Sequence, residues 1–184
     1  MSDLEINYEF DVADALGSVI GSDDLGNLKL RFLGTFVGEN RFKADPISPF
    51  QNCVGFFGDI CGEPDPEFRW VTDARWSWHG WTANVRVRWL DKVRNDLGVT
   101  FEGSNRTFDK DLENQIASAV LKAQTYVDMS VSYQITENVN FTFGVDNVFD
   151  NHPPLTAQDE QSNTYPGTYT VLGTTFWGAL RLNF

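Results

Sequence analysis

The residues best equipped for chemistry are four arginines and a carboxylate in two alternating runs: Arg69, Asp73 and Arg75 in "FRWVTDARWSW", then Arg86 and Arg88 in "WTANVRVRWL". A guanidinium group suits bidentate recognition of carboxylates and other anions. That is binding chemistry, and each arginine has a plainer alternative, pairing with a nearby acid such as Asp73 or Asp128. Covalent chemistry finds no foothold. There is no nucleophile elbow, no glycine-rich phosphate loop and no His-rich metal spacing. His79 and His152 lie far from each other and from Cys53 and Cys61, which argues against zinc. Adjacent acids such as Asp159 and Glu160 read as solvated surface, and nothing points to the paired carboxylates of glycoside hydrolysis. The expectation is a protein that binds, with no catalytic residues, no cofactor and no metal.

The elements that must position these residues are strands. Aromatic residues make up 14% of the chain, with six Trp and fifteen Phe, and they fall mostly in period-two runs. Seven segments alternate strictly enough to read as strands: 3–12, 27–38, 67–78, 81–90, 125–135, 138–147 and 169–184. One face of each is apolar, as with Leu28, Leu30, Phe32 and Phe36, or Val139, Phe141, Phe143 and Val145. The connections alternate between short and long. About two residues separate the third strand from the fourth (His79, Gly80) and the fifth from the sixth (Thr136, Glu137), whereas 39–66, 91–124 and 148–168 are long links. Strand parity puts all three long links on one side of a sheet. The link 13–26 should be a tight turn by that parity, yet it is of medium length and punctuated by Gly17, Gly21 and Gly26, and the alternation offers no account of it. Within the second long link, "DKDLENQIASAVLKAQ" reads equally as a short helix capped by Asp109 or as irregular loop.

A formal net charge of −12 on 184 residues excludes nucleic acid as a partner, since no basic tract exists to meet phosphate. No run approaches the apolar length of a membrane helix, and "MSDLEINYEF" lacks the regions of a signal peptide, so the chain is either cytosolic or part of a longer one. Cys53 and Cys61 stand eight apart in a loop rich in Gly and Pro. Oxidised, they would close a small ring worth roughly 2.5 kcal/mol; reduced, they are two thiols of a cytosolic loop.

Alternation alone suits both a soluble β-sandwich and a membrane barrel, but length separates them. A membrane strand needs about 9–11 residues and a soluble one averages about 5–6. Most of these segments reach the membrane length. Short turns on one side with long loops on the other follow the outer-membrane pattern, and Trp76, Trp78, Trp81 and Trp89 flank strand ends as an interfacial girdle does. If Trp81, Ala83, Val85, Val87 and Trp89 face lipid, Arg86 and Arg88 face a watery lumen. In the opposite register each arginine would cost about 2–4 kcal/mol near the midplane. At the end of the chain Phe176, Leu180, Leu182 and Phe184 form an apolar row resembling the C-terminal strand by which the barrel assembly machinery recognises its clients.

Three stretches then resemble one family, the TonB-dependent receptors, in the C-terminal part of their barrel. "CVGFFGDICGEPDPEFRW" is similar to a two-cysteine extracellular loop leading into a strand. "LKAQTYVDMSVSY" followed by "FTFGVDNVFDNHPP" is similar to a strand pair with an Asn-Val-Phe-Asp exit, Asn147 to Asp150. "NTYPGTYTVLGTTFWGALRLNF" is similar to the last loop and final strand. The resemblance implies an all-β fold: an antiparallel transmembrane β-barrel segment of about seven strands from a barrel of about 22, with long extracellular loops and short periplasmic turns. It implies that residues 1–184 are a partial C-terminal barrel domain, with plug domain and signal peptide outside this chain. It also favours the Cys53–Cys61 disulfide.

The implied function is active uptake of a scarce nutrient across the bacterial outer membrane, a ferric siderophore first, or else cobalamin or an oligosaccharide, driven through the TonB complex. Partners would be outer-membrane lipid, the TonB complex, the assembly machinery and a small-molecule ligand such as an iron chelate. Lumen or ligand candidates are Arg69, Asp73, Arg75, Arg86 and Arg88, with Tyr165 and Tyr169 near the loop bases. Two other classes remain: a passive porin-like barrel completed by partner chains, and a soluble carbohydrate-binding β-sandwich whose tryptophans stack on sugars.

Overall fold

The alternating runs become one sheet. The computed structural model describes residues 1–43, 45–47, 50–102, 105–115, 118–156 and 163–183. Its long strands are β1 (Ser2–Asp11), β2 (Asn27–Phe36), β3 (Phe68–Trp78), β4 (Trp81–Leu90), β5 (Gln124–Thr136), β6 (Val139–Asp146) and β7 (Thr175–Leu182). They pair antiparallel in chain order, each with its sequence neighbour, in a seven-stranded sheet whose edges are β1 and β7. No helix among the described residues is long and apolar enough to cross a membrane.

Register carries the two-faced pattern across all seven strands. Ile6 lies opposite Phe32, Ala74 opposite Val85, Val85 opposite Met129, Val131 opposite Phe143, and Phe141 opposite Leu180. Because side chains alternate with period two, these pairs share one face, and Arg31, Asp73, Arg86, Asp128 and Asn140 share the other. The apolar face is uncovered: Leu4, Ile6, Tyr8, Val131, Phe141, Phe143, Phe176 and Leu180 are all exposed. A β-sandwich needs a second sheet about 10 Å away over that face. Among the described residues nothing plays that part, so the sandwich reading is set aside.

The buried core sits elsewhere, among the long links. Phe57, Val93, Leu121, Tyr165 and Tyr169 form a buried cluster with Leu90 packed against it. Phe56–Phe57 of the first link pairs with Val93–Asn95 of the second, which pairs in turn with Val120–Leu121. The third link contributes both tyrosines, Tyr165 edge-on to Phe57 at 5.7 Å. The links expected to lack structure thus form one body on one end of the sheet, held by pairings too short to leave a period in sequence.

Three boundaries differ from the sequence reading. The link between the first two strands, expected over 13–26, begins one residue earlier with α1 (Val12–Ile20), capped by the Asp11 carboxylate on the Ala13 amide (2.8 Å) and ended by Gly21 in the left-handed region. The stretch 109–124, which reads equally as helix or irregular loop, holds a single helical turn, Lys110–Glu113, with Asp109 accepting from the Asp111 amide at 3.0 Å; the chain then forms the short strand Val120–Leu121. The last strand begins at Thr175 rather than 169, because Tyr169 is drawn into the loop core. Phe184 lies outside the described residues.

Candidate functional site

The candidate site is the polar face of the sheet and the loop body at its end. Arg86 and Asp73, opposite each other on β4 and β3, pair at 2.6 Å. Arg88 reaches Asp128 of β5 at 3.3 Å and Thr170 at 3.4 Å, and its guanidinium lies over the Tyr126 ring, 5.3 Å from the centroid. Arg75 donates to Asn84 at 3.0 Å. Further along the sheet Arg31 pairs with Glu5 and Lys29 with Glu9, both at 3.1 Å. The plainer role therefore describes Arg86 and Arg88, each beside an acid of a neighbouring strand, although the buried Nε of Arg88 has no hydrogen-bond partner among the described residues, and Arg75 is held by the Asn84 side-chain oxygen. Arg69 differs: it is exposed and no side chain among the described residues pairs with it. It borders a groove of about 310 Å³ below the loop body, with Thr35, Arg88, Tyr126 and Thr168.

A second depression, about 280 Å³, lies mid-sheet between Asp73, Arg75, Arg86, Asp128, Asp146 and Trp177. Trp177 is the one tryptophan on the polar row, and sequence reading passed over it. Its indole lies across Gly144, the residue directly opposite on β6, and donates to Asp146 at 3.2 Å. A Cβ on Gly144 would sit 2.3 Å from the ring. A glycine in a polar row beside an out-of-phase tryptophan was the available signal.

The other tryptophans fall into two groups on the apolar face. Trp76, Trp78 and Trp81 lie at the short-turn end, Trp76 stacked on Trp78 (6.0 Å between centroids) and Trp81 against the tilted ring of Tyr133 (4.4 Å). Trp89 lies at the loop end, stacked on Trp70 at 6.3 Å. His79 and Gly80 close the intervening hairpin with positive φ at both positions, as a type I′ turn requires. Phe176, Leu180 and Leu182 share the apolar face of β7.

Tyr165 and Tyr169, expected to offer aromatic surface near the loop bases, are each only 2% exposed. They pack the loop core instead. Burial pushes the Tyr169 phenol well above its ordinary range, with Tyr126 and Tyr165 nearby adding to the shift. Cys53 and Cys61 form a disulfide with Cα atoms 5.3 Å apart. Its ring is fastened by Asp96, whose Oδ2 accepts from the amides of Ile60 (2.8 Å) and Cys61 (2.7 Å). Gly58 has φ +138°, and a Cβ there would meet the Asp96 carboxylate at 2.2 Å, so glycine lets that side chain approach. Burial raises the Asp96 pKa, against the lowering effect of the two amides.

The Asn147-Val148-Phe149-Asp150 exit is a hydrogen-bond hub. Asn147 is buried at φ +52°, a conformation Asn and Asp tolerate best after Gly. Its side chain donates to the Asn151 and Leu172 carbonyls and accepts from the Asn151 amide, while its own amide donates to Asp128. Asp150 accepts from the Thr174 amide at 3.0 Å, and the Thr174 hydroxyl donates to the Asn147 carbonyl at 2.9 Å. This hub sets where β6 ends and β7 begins, and through Asp128 it adjoins Arg88.

Among the described residues no group of three or more His, Cys, Asp or Glu side chains could hold a metal ion. The arrangement offers a charged wall, a groove lined by Leu33, Val71 and Leu90 as well as by Arg69 and Arg88, and a packed loop body. Against known proteins, the family model described as TonB dependent receptor-like, beta-barrel matches residues 7–148, from within β1 to the turn after β6. Comparison with curated proteins and with solved structures gives no match.

Proposed function

This chain belongs to the TonB-dependent receptor family, within its β-barrel, and from that premise we propose that it is part of the wall of an outer-membrane transporter that captures an anionic nutrient chelate, a ferric siderophore first, and passes it inward with TonB-derived energy. One observation carries the reading: an uncovered, mainly apolar face spans all seven strands, back to back with a face of paired charges. Water cannot be the neighbour of both faces without a large unpaired apolar surface. Lipid against one and an aqueous lumen against the other leaves no conflict. In this reading Trp76, Trp78 and Trp81 rest in one headgroup region and Trp89 in the other. Phe176, Leu180 and Leu182 present the row that the assembly machinery reads, and the long links face the exterior.

The wall is larger than this sheet. β1 and β7 both run from the loop end to the short-turn end, as an odd number of antiparallel strands demands. A porin-like ring made from copies of this chain would have to join each β7 to a parallel β1, against the antiparallel rule of such barrels. Strands of opposite direction elsewhere in a longer receptor fit both edges.

Arg69 is the proposed first anionic contact below the loops, with Arg75, Arg86 and Arg88 holding the wall. A charge-assisted contact is worth about 1.5–3 kcal/mol, roughly 10- to 150-fold in Kd. The test is uptake of a ferric siderophore, cobalamin or an oligosaccharide by cells producing the receptor, with and without an uncoupler, for the wild type and for Arg69→Ala. Energy-dependent uptake of an anionic chelate weakened by Arg69→Ala is expected. Uptake that persists in uncoupled cells overturns the transporter reading, and an unchanged Kd in Arg69→Ala overturns the role of that residue.

A further inference from the structure

The helix α1, which the strand alternation does not explain, has no place in a plain barrel turn. Its apolar residues Val12, Leu16, Val19 and Ile20 recur at the spacing of one helical face, with Asp14 and Ser18 on the other. No residue of α1 is buried, and Leu16, Ile20 and Val19 are 46%, 58% and 81% exposed. We infer that α1 is an interfacial helix: its apolar face lies in the headgroup and upper acyl region of the periplasmic leaflet, next to the tryptophan girdle. The inference rests on the membrane reading of the sheet.

Continuity with the apolar face of the sheet argues for lipid as the occupant. The segment is fastened at girdle height at both ends. At its start the Val12 amide bonds to the Gly26 carbonyl at 2.8 Å, two residues after Phe10, the last apolar residue of β1. At its end the Trp76 indole donates to the Leu25 carbonyl at 2.8 Å and His79 meets Asp24 at 2.8 Å. Gly26, at φ +77°, lets the backbone run against Ser77, where a Cβ would lie 2.2 Å from the carbonyl oxygen. Trp76, Trp78, Trp81 and Tyr133 thus mark the level at which α1 leaves the sheet. Amphipathic residues of this kind collect where hydrocarbon gives way to headgroups, and a short amphipathic helix held at that depth lies in the plane of the interface.

Charge decides the mode of binding. Asp11, Asp14, Asp23 and Asp24 are the charged residues between Asp11 and Leu28, with no Lys or Arg among them. Attraction to anionic lipid is therefore absent, and apolar burial alone holds the helix, so added salt does not weaken the association.

Cys53 and Cys61 are joined in a disulfide, so an introduced cysteine is the single free thiol of the chain. Nitroxides at Val19→Cys, Asp14→Cys and Phe143→Cys, in the protein in outer-membrane vesicles, are compared for collision with dissolved oxygen, which concentrates in lipid, and with a water-soluble nickel chelate. Expected are oxygen-dominated collisions at position 19, nickel-dominated ones at 14 and the strongest oxygen preference at 143, with no loss of the oxygen preference at 19 in high salt. Nickel-dominated collisions at 19 with 143 still in lipid overturn the helix assignment alone. Shielding of 19 from both reagents means protein covers α1 and overturns it equally. Loss of the oxygen preference at 143 overturns the membrane reading on which the inference stands.

Discussion

Val131 is the most informative single position. It sits mid-strand in β5, opposite Ala83 and Phe143, on the apolar face, and is 44% exposed. Its neighbour Ser130 points to the other face, opposite Asn84 and Gly144, within reach of the acids Asp128 and Asp146. Val131→Arg in water would be an ordinary surface change, within about 0.5 kcal/mol of neutral. Against hydrocarbon near the midplane it costs about 2–4 kcal/mol, a factor of roughly 30 to 1,000 in the folding equilibrium. Ser130→Arg, facing water and carboxylates, should cost less than about 1 kcal/mol. The assay is denaturant unfolding of the protein assembled in phospholipid vesicles, followed by tryptophan fluorescence, with both variants beside the wild type. The two substitutions differ by one residue and by the face they reach, so helix, loop and edge effects cancel. A Val131→Arg cost within 0.5 kcal/mol of neutral, or an equal cost for Ser130→Arg, would refute the assignment of faces.

Reducing the Cys53–Cys61 bond, or replacing both cysteines with serine, should remove about 2.5 kcal/mol of loop stability, seen as faster hydrogen exchange at the loop amides Gly55 and Gly58 with strand amides of β4 and β5 unchanged. Because the folded pKa of Asp96 is raised above its ordinary 3.8, its contribution is fully present below that value and is lost as pH rises through the folded pKa. Protection of the Ile60 and Cys61 amides, corrected for intrinsic exchange, should fall with rising pH in the wild type and stay flat in Asp96→Asn. Asn147→Ala places alanine at positive φ and strips the bonds to Asn151 and Leu172, so about 3 kcal/mol should be lost, with proteolysis between β6 and β7 as the readout.

The strands were legible because an apolar face on one side imposes a period of two on every long run, and runs of eight to thirteen residues leave that period unmistakable. The helix α1 was legible too, by its Asp11 cap, its Gly21 stop and the spacing of Val12, Leu16, Val19 and Ile20, but a hairpin expectation stood in front of it. The start of β7 was not. Tyr169, Val171 and Gly173 continue the alternation, yet the core takes Tyr169, and Asn147 and Asp150 hold Leu172 and Thr174 by bonds that have no trace in the run itself. The loop strands failed for a different reason, since pairings of two to four residues are shorter than any period that could announce them.

What escaped in the candidate site has a common cause: its signals run across strands and links rather than along them. Gly144 makes sense only beside Trp177, Gly58 only beneath Asp96, and the two positive-φ residues Asn147 and Asp150 only against Thr174. Arg69 is singled out the same way, by what its three companions already bind. A single sequence lists which residues could serve a site. Which of them are still free to serve it is a property of pairing, and for a wall of antiparallel strands pairing follows once register is known, because every side chain then has a named neighbour on either side. Arg86 meets Asp73 because both stand in the pair that also aligns Ala74 with Val85 one step along. The register that aligns the apolar face therefore dictates the ion pairs of the opposite one, and a one-residue slip of β4 would carry its arginines to the apolar face and break those pairs in the same movement.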